Sequence, residues 1–148
     1  IFILIIGLIV FGVYALISKV DDCKTIPAQE MNIGGHKNLA YHYHSDLRII
    51  INDVEQTIPA DIGISSGVMR PLHTHDSSGE VHAEGTCPRE FVIGDFFKIW
   101  NKTFNESCVF EYCSDKGNLT MKVNGNQVYS MDKYIIRDGE DVLIEYKK

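Results

Sequence analysis

Residues 41–58, YHYHSDLRIIINDVEQTI, decide the fold. From Leu39 onward the side chains fall into period two, with Tyr41, Tyr43, Leu47, Ile49 and Ile51 alternating with His42, His44, Arg48 and Ile50. Successive side chains of a strand point to opposite faces, so the segment reads as a strand running to Ile51. Asn52 and Asp53 are turn formers and apolar character returns over 54–58, which makes a hairpin.

The C-terminal quarter repeats this grammar. Residues 119–123 and 127–130 flank Asn124-Gly125, the strongest short hairpin signal a sequence offers, and Asp138-Gly139 leads into a branched and aromatic strand at 142–146. One patch, GDFFKIW at 94–100, has helical spacing: Phe96, Ile99 and Trp100 share a face and Asp95 is placed to cap the first turn. The expected fold is mainly β, a small β-sandwich or open barrel with one short helix, occupying residues 39–148.

Upstream the composition changes. Residues 1–17, IFILIIGLIVFGVYALI, hold 15 hydrophobic residues and two glycines, and the first charge is Lys19. The reading is a transmembrane anchor over residues 1–18. As a helix, 17 residues cover about 25 Å of a hydrocarbon core about 30 Å thick, slightly short unless residues precede Ile1. Residues 19–38, with Pro27 and the Gly34-Gly35 pair, show no period and read as a connector lifting the domain off the lipid. The chain has 148 residues and a formal net charge of -6, with no basic stripe, which argues against a nucleic-acid partner.

Cys23, Cys87, Cys108 and Cys113 form an even set without a Cys-x-x-Cys pair, which favours disulfides over a zinc ribbon; four cysteines allow three connectivities and the sequence does not choose. Three Asn-x-Ser/Thr sequons, at Asn101, Asn105 and Asn118, are useful only outside the cytoplasm. Together these features place the domain on the extracytoplasmic side of a cell membrane, single-pass, with membrane lipid as one partner.

Five of six histidines fall in two tight groups: His42 and His44, then His73, His75 and His82. Residues i and i+2 of a strand lie on one surface about 6.6 Å apart, so each His-x-His presents two imidazoles to one side. His82 and Glu84 share a face of the segment 80–84, and the polar turn 76–79 would fold it beside His73 and His75. The candidate metal ligands are therefore His42, His44, His73, His75, His82 and Glu84. Asp76 and Glu80 are the supporting or alternate ligands, Asp76 with an Asx-turn role as its simpler reading. Imidazole with carboxylate suits copper(II) or zinc, and also iron(II), nickel or manganese. Ser77 and Ser78 lack a Gly-x-Ser-x-Gly elbow and read as a solvated turn, and Trp100 with Phe96 and Phe97 reads as core.

At these residues the chain resembles a family of membrane-anchored or secreted proteins frequent in ammonia-oxidising archaea and found in some bacteria. The resemblance rests on HYHSDL (42–47), IPADIGI (58–64), LHTHDSSGEVHAE (72–84), IGDFFKIW (93–100) and VNG (123–125). It implies an extracytoplasmic domain, copper-associated in lineages that rely on copper enzymes; Ile93 in place of the usual Leu and the cysteine pair 108 and 113 depart from the pattern. Gly67, His73-x-His75 and Glu80 are also similar to the first cupin motif, but no His follows His82 to supply the second, which leaves His82 or the 42/44 pair as third ligand.

The functional expectation is a membrane-tethered metal-binding domain carrying copper or zinc, as an accessory subunit of a membrane complex or a metal buffer or delivery module. A structural subunit of a membrane assembly or pilin-like filament is the first alternative and a cupin-like mononuclear metalloenzyme the second. The enzyme reading is the weaker, because no phosphate loop, anion clamp or cofactor fingerprint lies near the histidines.

Overall fold

The structure, a computed structural model, describes residues 23–148. Among them no helix is long and apolar enough to cross a membrane, and the expected anchor at residues 1–18 lies outside them.

The described chain is mainly β. The alternating segment becomes β1 (Tyr41–Ile51), and Asn52 and Asp53 turn at positive φ, 49° and 66°, into the short β2 (Val54–Glu55). Two two-residue strands, β3 (Ile64–Ser65) and β4 (Val68–Met69), pair with each other ahead of β5 (Leu72–His73) and β6 (Glu80–Gly85). The hairpin β7 (Cys108–Val109) and β8 (Tyr112–Cys113) follows, then β9 (Asn118–Val123), β10 (Asn126–Val128) and β11 (Glu140–Lys147). Asn124 and Gly125 take positive φ between β9 and β10, as an Asn-Gly hairpin requires.

Seven strands make one mixed sheet in the order β10-β9-β11-β1-β6-β5, with β2 also on β1. β1 is its centre. Along one edge it runs parallel to β11; along the other it is antiparallel first to β6 and then to β2. The register lines up Leu47 with Val142 and Val123, and Ile49 with Ile144 and Met121. All are buried on one face of the sheet, and each such side chain contributes roughly 1.5–3 kcal/mol relative to exposure. Against this face packs the helix α1 (Ile93–Ile99), with Phe96 and Phe97 buried.

Asp95 does not cap α1. The N-cap is Val92, without a side-chain cap bond. Val92 bridges Ile135 and the Ile93 N–H donates to the Tyr134 carbonyl, so backbone pairing anchors the helix start while Asp95 pairs with Lys98 at 3.0 Å. Phe110, at φ 54°, turns the chain between β7 and β8. Cys108 bonds Cys113 across that hairpin, and Cys23 bonds Cys87.

The described part of the connector is docked, not free. Ala28, Met31 and Ile33 are buried in the core cluster, and the Ile33 N–H donates to the Met69 carbonyl. Arg70 donates to the Met31 carbonyl at 2.8 Å and Arg89 to the Ile26 carbonyl at 2.5 Å. Three scattered apolar side chains have no period to betray them, yet with one disulfide and two arginine clamps they hold the segment on the domain.

Gly79 closes the turn that returns β6 beside β5. Its φ is +95°, and a Cβ there would stand 2.5 Å from the Leu47 carbonyl oxygen, whose own residue donates its N–H to Gly79 O. Gly79→Ala is therefore expected to cost about 2 kcal/mol or more, combining positive-φ strain with a backbone clash. Urea denaturation checks this, with the exposed Ser77→Ala expected to stay within about 0.5 kcal/mol of the parent.

Candidate metal centre

The pleat of β1 that buries Leu47 and Ile49 turns His42 and His44 to the opposite face. On β6 the same alternation buries Val81 and Ala83 with the core and turns Glu80, His82 and Glu84 to the histidine side. Register then does the rest. His44 lies directly across from His82, His82 across from His73 on β5, and His42 across from Glu84. Three adjacent strands thus set three imidazoles in one row and a carboxylate two residues along it. Ring centroids are 4.5 Å apart for His44 and His82 and 5.3 Å for His73 and His82. His75, just past β5, stands 4.9 Å from His73 and 4.6 Å from His82. Every residue expected as a ligand is in the cluster.

A sixth imidazole joins them. His36, from the docked connector, lies 5.4 Å from His75 and 6.0 Å from His73, and its Nδ1 approaches both Glu84 oxygens at 3.0 and 2.9 Å. Sequence reasoning missed it because it stands alone, after Gly34-Gly35, without a His-x-His partner. The signal available was the nearby Cys23, whose bond to Cys87 ties this segment to the chain just beyond β6.

The protons on two of the rings are set from outside the cluster. His73, fully buried, bonds the Arg70 carbonyl through Nδ1 at 2.9 Å, so Nδ1 carries the hydrogen and Nε2 the lone pair. Among the described residues that Nε2 has no hydrogen-bond partner. Such an orphaned buried lone pair is uncommon and calls for a reason. On His82, Nε2 meets the Glu80 carboxylate at 3.0 Å, which leaves the Nδ1 lone pair facing His42 Nε2 at 3.4 Å and Glu84 at 3.7 Å. Glu80 is thus an orienting group, holding a ring as the partners of metal-bound histidines do. Asp76 accepts the Ser78 N–H at 2.8 Å in an Asx turn; hydrogen bonds from Ser78 lower its pKa.

Glu84 is the electrostatic centre. It is 0% exposed, and no lysine or arginine among the described residues pairs with it. Its partners are imidazoles: His36, His42 at 3.0 Å and, farther off, His82. A buried carboxylate needs a compensating cation or several donors, and the ring N–H groups of His36 and His42 are placed to donate to it. Three sets of groups bring their ligand atoms within 4.8 Å of one another: His36, His73 and His75; His42, His44 and His82; His73, His82 and Glu84. They could hold a metal ion. All four cysteines are in disulfides, so no thiolate enters the set.

No family model, curated protein or solved structure matches the chain. The site is therefore read from its own chemistry. The three sequon asparagines, Asn101, Asn105 and Asn118, lie away from the cluster's strands at exposed positions, and the Asn105 side-chain Oδ1 accepts the N–H groups of Ser107 and Cys108.

Burial lowers the His73 pKa to about 4, and burial with the neighbouring His75 and His44 lowers that of His82. An unfolded histidine titrates at about 6.5, so between pH 6.5 and 4 the unfolded metal-free chain binds a proton that folded His73 refuses. Stability is then greatest above pH 6.5 and falls as pH drops through that window, by about 2 kcal/mol at pH 5 from this group. Urea titrations at pH 7.5 and 5 should show a smaller loss for His73→Gln than for the parent; equal losses would place the pH dependence elsewhere.

Proposed function

We propose that the chain is a membrane-tethered, extracytoplasmic metal-binding protein, in which a small β-sandwich or open barrel behind a transmembrane helix at residues 1–18 presents a histidine-rich site for copper or zinc. The observation that carries this reading is the buried His73 Nε2, whose lone pair has no partner among the described residues and stands within a cluster of five further imidazoles and a buried carboxylate. A purely structural cluster would be expected to satisfy that atom, since an unmade hydrogen bond in the interior costs about 1–3 kcal/mol. The nitrogen-rich donor set without thiolate suits copper(II) or zinc. Its role in this reading is to buffer or deliver the ion, or to serve as an accessory subunit of a membrane complex. The extracytoplasmic placement is supported by the two disulfides, which persist in oxidising compartments, and by the exposure of the three sequons, which would then be open to glycosylation.

Elemental analysis of protein purified from its native membrane without added metal or chelator is expected to show copper or zinc at no less than about one ion per chain. His73→Ala with His75→Ala should lower the metal content per chain while far-UV circular dichroism stays β-type. Unchanged metal content in that variant sinks the assignment, and lost stability with metal retained makes the histidines a hydrogen-bonding device. Glu80→Ala, which releases the His82 ring, is expected to weaken metal affinity about 10–100-fold, measured by chelator competition.

A further inference from the structure

We propose that the cluster is a two-ion centre: His36, His73 and His75 hold one divalent ion, His42, His44 and His82 hold a second, and the Glu84 carboxylate bridges them. This rests on the metal-binding reading above and deepens it.

The two trios share no residue, and in each the ligand atoms lie within 4.8 Å of one another. Nitrogens bonded tetrahedrally at 2.0–2.1 Å stand about 3.4 Å apart, so small side-chain rotations close either trio on an ion. Glu84 touches both trios. His36 Nδ1 of the first stands 2.9 Å from Oε2 and 3.0 Å from Oε1, while Oε1 is also 3.0 Å from His42 Nε2 and 3.7 Å from His82 Nδ1 of the second. A carboxylate that spans two nitrogen trios in this way is placed to bridge ions about 3.5–4 Å apart, the spacing of two-metal sites.

The competing arrangement is one ion at the third set, His73, His82 and Glu84. It would satisfy the orphaned His73 nitrogen but would leave His36, His42, His44 and His75 gathered around the carboxylate without a coordinating role. Two ions use all seven groups. The donors are six imidazoles and one carboxylate, which selects zinc(II) or copper(II) as the ligand class, copper(II) binding the more tightly. His36 and His42 are 48% and 43% exposed, so the remaining coordination positions are open to water or small anions on that side.

The test uses the full chain in detergent, stripped by chelator, titrated with copper(II) sulfate or zinc chloride, desalted, and analysed for metal per chain. The expected result is two ions for the parent and one for each of His36→Ala/His75→Ala and His42→Ala/His44→Ala, with circular dichroism confirming that both variants are folded. In the doubly loaded copper form, coupling between neighbouring ions should hide more than half of the copper from paramagnetic resonance, whereas both variants should show all of theirs. Saturation of the parent at one ion overturns the two-ion centre and leaves the metal-binding reading standing. Two ions with fully visible copper overturn the bridge, and no retained metal overturns both readings.

Discussion

The pleat of β1 is the constraint from which both the core and the site follow. Leu47, Ile49 and Ile51 are buried on one side, matched across β11 by Val142, Ile144 and Tyr146. A slip of one residue would expose this whole apolar row, so the register is strongly specified. Because the alternation has a period of two, the same burial obliges His42 and His44 to the other face. The antiparallel pairing with β6 then obliges His44 to meet His82 and His42 to meet Glu84. The cluster is thus held by hydrophobic burial on the side of the sheet it does not occupy.

On the histidine face the balance is electrostatic. Glu84 is fully buried, and its neighbours are bases that carry charge only when protonated or when they share a metal ion. Two outer acceptors, the Arg70 carbonyl on His73 and the Glu80 carboxylate on His82, fix which nitrogen of each ring carries hydrogen. Each leaves the other nitrogen's lone pair free within the cluster. Orientation of this kind limits the rearrangement needed when a cation arrives.

Much of this was legible in the sequence, and the parts that were not share a physical reason. Asn52-Asp53, Asn124-Gly125 and Asp138-Gly139 announce local turns, because positive φ and tight reversal demand those residue types. The His-x-His pairs and the fold-back of 76–79 follow from strand geometry and turn chemistry, again over short range. The parallel pairing of β1 with β11 joins residues about a hundred positions apart and leaves no local mark. Asp95 misled because a backbone bridge from Val92 to Ile135 does at the start of α1 what a cap would have done. The docking of Ala28, Met31 and Ile33, and with it the arrival of His36, depends on partners far along the chain.

His36 shows why that docking matters for chemistry. An imidazole on a free tether would have to be ordered at each encounter with a cation, at roughly 1–2 kcal/mol of backbone entropy per residue fixed. Here the segment is already ordered, by the Cys23–Cys87 bond at its beginning, by the arginine contacts to the carbonyls of Ile26 and Met31, and by the Ile33–Met69 hydrogen bond just before the glycine pair. The disulfide ties the segment to a point two residues beyond β6, the strand that carries Glu84, so the two arms that meet at His36 and Glu84 are joined at both levels, covalently at their base and through the carboxylate at the site. The histidine cluster is consequently a property of the whole domain together with its connector, not of the central motif alone.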